Sequence, residues 1–148
     1  MKGAQAELIS RIRRPREIDL PRVLVAGATT AASCSIAQTL RDAGYGVSTT
    51  LAGVEVLRDL RNQKAIELLV LDGSERPWSV GSLIDSIRAI DWALPIVLIS
   101  RPDPELRAEA ERLGVEAILE SPVAAEEIRR AATKIVPVAL EVELDRAG

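Results

Sequence analysis

The stretch "RVLVAGATT", from Arg22 to Thr30, decides how this chain folds. Its four consecutive apolar residues end in Gly27 and Ala28, and two threonines then open a long helical pattern. A buried parallel strand passes into a helix in this way, and the turn between them is where α/β proteins usually hold their reactive groups. This turn has no carboxylate, no lysine and no glycine-rich loop that could bind a phosphate.

The composition restricts the function before any motif is considered. The chain has 148 residues, which predicts one domain with a sizeable core, and that core must be aliphatic because the chain has no Phe. It has no His, which excludes Ser-His triads and histidine zinc sites. The net charge of −3 gives no general attraction to nucleic acid or anionic membranes. We expect neither partner, and neither a metal nor another cofactor.

A single cysteine, Cys34, excludes an internal disulfide and is typical of a reducing cytoplasm. We expect it to be a small buried core residue on the first helix. The longest apolar runs have the length of strands, so no segment is predicted to span a bilayer. The expected location is therefore the cytoplasm.

Five strand-like runs alternate with helical patterns. The strands are predicted at Val23–Ala26, Tyr45–Thr49, Leu68–Leu71, Ile96–Ile99 and Ala117–Leu119. The first, third and fourth are continuous in aliphatic residues, as in strands buried on both faces. The order predicts a doubly wound (βα)5 fold of the α/β class, flavodoxin-like, with five parallel strands in the order 2-1-3-4-5.

Apolar residues at helical spacing predict a helix after each strand. The expected buried faces are Ile36, Leu40 and Ala43; Val54, Leu57 and Leu60; Leu83, Ile87 and Ile90; Leu106, Ala110 and Leu113; and Ile128, Ala131, Ala132 and Ile135. The fourth helix is the best marked, with Asp103 as N-cap, Pro104 at the first position and Gly114 as stop. Gly44 is predicted to end the first helix.

Two terminal pieces lie outside this unit, which we assign to residues 21–136. Residues 1–20 contain the basic run "RIRRPR" and form a solvated arm or a helix that docks on this or another chain. No aromatic residue is interleaved with those arginines, so binding of nucleic acid is the least favoured reading. Residues 137–148 alternate as "VALEVEL" and form an added edge strand or the start of a linker to an output domain.

The chain resembles the receiver domain of bacterial response regulators, from about Arg22 to Val136. The resemblance depends on "RVLVAGA", "ELLVLD", "PIVLIS" and "LGVEAILESP", which occur in the family's order. It implies that Asp72 occupies the place of the phosphoacceptor and Ser100 the place of the residue that binds phosphoryl oxygens. Pro122 matches the proline after the fifth strand.

The same resemblance shows what is missing. Gly27 and Ala28 stand where receivers place two acidic residues that hold Mg²⁺, and Ser121 replaces the family's lysine. Ile118 stands at the aromatic switch position, and Arg101 follows Ser100 where a small residue is usual. We interpret the chain as a degenerate receiver, or pseudo-receiver, with no catalytic residue: a module that binds a protein partner in a signalling pathway rather than an enzyme.

The vestigial site then has a structural interpretation. Asp72 is expected to cap nearby backbone N–H groups or to pair with the counterion Arg101 or with Arg76, and Ser100 to be hydrogen-bonded locally. Two alternatives stay open. In the first, Asp72 is still phosphorylated by an atypical route. In the second, the turn after the first strand belongs to a small Rossmann-like domain that binds a nucleotide or another anion. Thr30 and Ser33, however, replace the glycines that a dinucleotide requires.

The partner surface is predicted from charge. In receivers the fourth helix, fifth strand and fifth helix form the face that dimerises or meets an effector. Here "ELRAEAER" and "EEIRRAATK" interleave acids and arginines, with Glu126–Arg130 and Glu127–Arg130 at helical spacing, a pattern that suits a homodimer. Trp78 and Trp92 are predicted in loops, where they anchor a partner or pack locally.

Overall fold

The computed structural model describes residues 20–27, 29–63, 65–74 and 77–138. The predicted basic arm, apart from Leu20, therefore lies outside the described residues, as does the C-terminal extension beyond Val138. The unit assigned to residues 21–136 falls almost wholly within them.

Five strands and five helices alternate along the chain. The strands are β1 (Arg22–Gly27), β2 (Gly46–Leu51), β3 (Ile66–Asp72), β4 (Ile96–Ser100) and β5 (Ala117–Glu120). The helices are α1 (Thr30–Asp42), α2 (Val54–Asn62), α3 (Pro77–Ile90), α4 (Pro104–Arg112) and α5 (Ala125–Ile135). All strand pairs are parallel, and the sheet order is β2-β1-β3-β4-β5. The predicted fold class and strand order are confirmed.

Each face of the sheet has its own apolar core. Because side chains alternate along a strand, Val23 and Val25 face α1 and α5, whereas Leu24 and Ala26 face α2, α3 and α4. The central residues of β1, β3 and β4 are at most 2 % exposed. Burying each aliphatic side chain stabilises the fold by about 1.5–3 kcal/mol, so these three strands account for much of the core.

The predicted helix ends are confirmed where the structure describes them. The Asp103 carboxylate accepts hydrogen bonds from the backbone N–H groups of Glu105 and Leu106, and Pro104 follows at the first helical position. Gly114, one residue past the C-cap of α4, has a φ of 76°. Gly44, past the end of α1, has a φ of 102°. Left-handed backbone of this kind favours glycine, which explains the chain's choice at both ends.

Two predicted helix faces are confirmed in part. On α2, Leu57 and Leu60 pack against the core as predicted, but the fully buried residue is Val56, and Val54 is 75 % exposed. On α3, Ile87 is buried and Leu83 borders the core as predicted, whereas the buried Ile84 was not expected. Several apolar residues stand close together on both helices, so spacing alone leaves more than one face possible.

Two side-chain predictions also need correction. Cys34 is exposed rather than buried, and its neighbour Ser33 takes the buried position at 2 % exposed. Trp78 lies in the first turn of α3, not in a loop, because the helix begins one residue earlier at Pro77. Trp92 does lie in the loop between α3 and β4, and it is 72 % exposed.

The C-terminal part of the described chain returns across the turn between α1 and β2. The Tyr45 hydroxyl donates to the Val136 carbonyl at 2.6 Å, and Val138 is buried at 2 % exposed. A Cβ atom on Gly44 would lie 2.9 Å from Val138 Cγ1. The start of the extension is therefore part of the core beside α1.

Arg88 on α3 is the one buried cation among the residues described, and sequence reasoning did not single it out. Its guanidinium donates to the carbonyls of Leu113 at 2.7 Å, Leu94 at 2.6 Å and Gly114 at 2.9 Å. It also donates to the Trp92 carbonyl at 3.1 Å. Burial lowers the pKa of Arg88, and the nearby carboxylates of Glu116 and Asp91 partly oppose that effect. The side chain ties the end of α4 to the loop before β4.

Candidate functional site at the carboxyl edge of the sheet

Three central strands bring the predicted site residues to one edge. Ala26 is paired with Leu71, so Gly27 and Asp72 follow together at the ends of β1 and β3. Asp72 is paired with Ile99, and Ser100 is the last residue of β4. In a doubly wound sheet this carboxyl edge is where ligands bind.

Asp72 is held by the turn that follows it. Its Oδ1 atom accepts hydrogen bonds from the Ser74 backbone N–H at 3.0 Å and the Ser74 hydroxyl at 2.6 Å. The expected capping of backbone N–H groups by Asp72 is confirmed. Asp72 and Arg101, both described, form no ion pair, and the Arg101 side chain is exposed. The alternative partner Arg76 lies outside the described residues.

The space beside Gly27 is filled by the first helix. A Cβ atom on Gly27 would lie 2.4 Å from Ser33 Oγ and 3.3 Å from the Ser33 backbone nitrogen. Ser33 Oγ is fixed in place because it donates to the Thr29 carbonyl at 3.1 Å. Any side chain at position 27 must displace this serine. Sequence reasoning missed Ser33 as a site residue, since it weighed that position only as a replaced glycine.

These residues do not fit the Mg²⁺ that the receiver fold implies. Mg²⁺ needs oxygen ligands in near-octahedral geometry, usually from carboxylates and water. Asp72 is the one carboxylate among the strand ends of β1, β3 and β4, and Ser33 fills the place of a second at position 27. Within the described ranges, no group of three or more acidic, Cys or His residues is arranged to hold a metal.

The remaining site positions lie at the ends of β4 and β5. Ser100 is 5 % exposed, and its carbonyl accepts a hydrogen bond from the Ser121 N–H at 2.8 Å. The Ser121–Pro122 peptide bond is cis. Ile118 packs at the margin of the core that faces α2, α3 and α4, so it fills space there rather than presenting an aromatic ring.

The charged surface of α5 is organised around Glu126. Its carboxylate accepts hydrogen bonds from Arg129 and from Arg130 Nε, the latter at 3.3 Å. The hydrogen bond from Arg129 is the main reason why the pKa of Glu126 is lowered. The predicted Glu126–Arg130 pair is confirmed. The Glu127–Arg130 pair is not formed between these two described residues, because Arg130 turns toward Glu126 instead.

The dinucleotide-binding form of the nucleotide alternative loses support from the strand order. The sheet order differs from the 3-2-1-4-5-6 order of dinucleotide-binding domains. The second glycine of the dinucleotide motif, whose missing side chain lets the pyrophosphate approach the backbone, is replaced by Thr30.

No helix in the described part of the chain combines the length and the apolar character needed to cross a membrane.

Comparison with known proteins gives a consistent result for the fold. No protein-family model and no curated protein sequence matches the chain. Among solved structures, a response regulator receiver protein from Pseudomonas putida is 28 % identical, with a TM-score of 0.72, and the match covers 78 % of this chain and 97 % of that one.

Two further matches are more distant in sequence. A CheY-like receiver domain protein from Methanospirillum hungatei JF-1 is 20 % identical over 88 % of this chain and 100 % of that one, with a TM-score of 0.71. The chemotaxis protein CheY4 from Vibrio cholerae is 20 % identical over 79 % and 99 %, also with a TM-score of 0.71. The chain therefore has the fold of the response-regulator receiver domains.

Proposed function

We propose that this chain is a pseudo-receiver: a protein-interaction module of two-component signalling in the bacterial cytoplasm that is not phosphorylated on Asp72 by the Mg²⁺-dependent route. The observation that carries the proposal is Ser33, whose hydroxyl occupies the space beside Gly27. A receiver needs an acidic side chain near this point to bind the metal. Here that position has no side chain, and the neighbouring helix has closed over it.

The chemistry of phosphoryl transfer supports the same conclusion. The metal and a cationic side chain neutralise charge on the transferred group and thereby stabilise its transition state. At this edge Ser121 supplies no positive charge, and the chain has only three lysines, Lys2, Lys64 and Lys134, none close to Ser121 in sequence. Arg101 directly follows Ser100, but its exposed side chain is not paired with Asp72.

The state of Asp72 adds a third reason. Both hydrogen bonds from Ser74 reach Oδ1, so the carboxylate already stabilises the turn after β3. Attack on a phosphoryl donor would require Asp72 to exchange this local role for contacts with Ser100 and backbone N–H groups. The residue is thus retained as a structural cap.

The interaction face that we propose is formed by α4, β5 and α5. Its arginines and carboxylates alternate on exposed helix surfaces, as in the Arg107–Glu111 pair at 3.7 Å and the Glu126–Arg130 pair at 3.3 Å. Exposed pairs contribute little to folding, at about 0–1 kcal/mol each, so their arrangement is available for recognition. A self-complementary pattern of this kind suits an isologous homodimer or an output domain.

The phosphorylation part is tested by adding Mg²⁺ and beryllofluoride, an acyl-phosphate mimic, to the full chain. We expect no saturable change in the backbone NMR shifts of Asp72, Gly73 and Ser100. Asp72→Asn is the matched control, and it should give the same spectra with and without the mimic. A saturable response that Asp72→Asn abolishes would favour the atypical receiver alternative and contradict the proposal.

A rebuilt site provides the positive control. Gly27→Asp, Ala28→Asp and Ser121→Lys restore the family's side chains, and Ser33→Ala opens the space that the first of these needs. This fourfold variant should respond to the mimic, whereas the variant that keeps Ser33 should respond weakly or unfold.

The association part is tested by light scattering across a concentration series. We expect a dimer that Arg130→Glu weakens, with the charge reversal Arg22→Glu on β1 as a control outside the face. A strict monomer at high concentration would contradict the homodimer and leave the face to a different protein.

A further inference from the structure

An open groove lies at the amino edge of the sheet, opposite the carboxyl edge described above. It has a volume of about 480 Å³ and runs between the start of β3, the loop before β4 and the end of α5. Its apolar lining includes Ile66, Leu94 and Val136, and two carboxylates, from Glu67 and Asp91, complete it. We call it the amino-edge groove.

The loop that forms one wall of the groove is fixed. Arg88 donates to the carbonyls of Trp92 and Leu94, and the Ala93 N–H donates to Asp91 Oδ1 at 3.0 Å. The Trp92 side chain projects from this loop and is 72 % exposed. Tryptophan is enriched among the residues that anchor interfaces, and this one is presented on a loop whose backbone is fixed.

The groove carries negative charge that is neutralised only in part by the residues described, since the Arg88 guanidinium is close enough to Asp91 for the two charges to attract. Neither Glu67 nor Asp91 takes part in an ion pair with another described residue. The Arg88 guanidinium is directed to backbone carbonyls, and its side chain is buried at 6 % exposed. An occupant with positive charge and some apolar surface would therefore complement the groove.

Two segments of this chain are close in sequence to residues at the groove, and charge distinguishes them. Residues 139–148 follow the wall residues Val136 and Pro137 but carry Glu141, Glu143 and Asp145, which the groove carboxylates would repel. Residues 11–16, "RIRRPR", carry four arginines together with Ile12 and Pro15.

The basic segment is also within reach. The Arg22 backbone N–H donates to Glu67 Oε2 at 3.2 Å, so the chain enters β1 beside the groove. Arg16 precedes Arg22 by six residues. An extended chain of that length spans up to about 20 Å, and a chain that turns back needs much less.

We propose that the amino-edge groove binds the chain's own segment 11–16. Its arginines pair with Glu67 and Asp91, and one guanidinium stacks on the face of Trp92, an interaction that favours arginine over lysine. This contact sets the direction in which the N-terminal arm leaves the domain, and it is independent of whether Asp72 is phosphorylated.

The test compares backbone and indole N–H shifts of the full chain with those of the double variant Arg13→Glu and Arg14→Glu. We expect shifts at Glu67, Asp91 and the Trp92 indole, the last assigned with Trp92→Phe, and none at Arg107 on α4. Glu67→Arg should move the same resonances, whereas the matched control Glu105→Arg, an exposed carboxylate on α4, should not. Unchanged groove resonances in the arm variant would overturn the proposal.

A synthetic peptide of residues 8–19 measures the affinity of the amino-edge groove for the basic segment. It should bind the arm variant, whose groove is free. Glu67→Arg added to that variant should weaken binding at least about fivefold, because the charge reversal removes an exposed ion pair and places a like charge beside the peptide's arginines. Failure of the peptide to bind would contradict the assignment. Dilution of the unmodified full chain should leave its groove shifts unchanged, because a shift that disappears on dilution identifies a second copy as the occupant and overturns the intramolecular assignment.

Discussion

Replacing Gly27 with alanine should destabilise the fold through a single contact. The new methyl carbon would lie 2.4 Å from Ser33 Oγ, more than 1 Å inside the usual separation of about 3.5–4.0 Å between non-bonded atoms. Ser33 cannot move aside freely, since it is 2 % exposed and its hydroxyl donates to Thr29 O. Overpacking of this kind costs about 1–3 kcal/mol, and we expect a value near the middle of that range.

The second variant, Ser33→Ala, isolates the cause. On its own, Ser33→Ala should lower the free energy of unfolding by about 1 kcal/mol, the net value of one hydrogen bond. The Thr29 carbonyl still accepts the hydrogen bond from the backbone N–H of residue 33 at 3.2 Å. In the double variant, Gly27→Ala with Ser33→Ala, the 2.4 Å contact with the serine hydroxyl is gone. The backbone nitrogen of residue 33 remains 3.3 Å from the new Cβ atom. The two changes should therefore compensate by about 1–2 kcal/mol.

The coupling between the two substitutions is measured by urea unfolding of the wild type, the two single variants and the double variant. Their m-values must be equal before the free energies of unfolding are compared. Ser35→Ala, an exposed serine on the same helix, is the matched control and should add to Gly27→Ala without coupling. If the costs of Gly27→Ala and Ser33→Ala add within about 0.5 kcal/mol, the Ser33 hydroxyl is not what limits position 27. Additive costs would also remove the steric argument against an acidic residue at position 27.

Three other outcomes are expected. Arg88→Met should lower the free energy of unfolding in urea by about 3–5 kcal/mol, since it leaves buried carbonyls without donors. The control Arg101→Met, at an exposed arginine, should lower it by less than about 0.5 kcal/mol. Similar losses in the two variants would contradict the role of the buried guanidinium. Ala65 has a φ of 66°, so Ala65→Gly should be neutral or stabilise by up to about 1 kcal/mol, and a clear loss in thermal unfolding would count against the strain. The pKa of Glu126 is lowered in the folded chain, so its stabilising contribution is fully present above the ordinary carboxyl pKa. That contribution is lost as the pH falls through the lowered pKa. The unfolding midpoints of the wild type and Glu126→Gln should therefore converge in acid. A carboxyl NMR titration should also show the pKa of Glu126 rising in Arg129→Gln, and no change would contradict the assigned cause.

The fold and the position of the candidate site could both be predicted from local sequence patterns. Continuous aliphatic runs such as Val23–Ala26 and Ile96–Ile99 are stable only when both faces are covered, which requires helices on either side of a parallel sheet. Local caps at Asp103, Gly44 and Gly114 act within a few residues, so they too can be read from the sequence. The place of Asp72 at the carboxyl edge follows directly from the length of β3.

Which side chains surround that site, and which face of a helix is buried, became clear only from the packing of the folded chain. The sequence shows that an acid is missing at Gly27, but Ser33 fills its space only because α1 crosses the end of β1 at close range. In the sequence, Arg88 looks like an ordinary exposed charge on a helix. Its hydrogen-bond partner Leu113 is 25 residues away, and the two come together only in the folded chain. Cys34 is exposed because α1 turns Ser33 inward instead. Such contacts depend on how elements pack across long sequence separations, which local pattern and propensity do not encode.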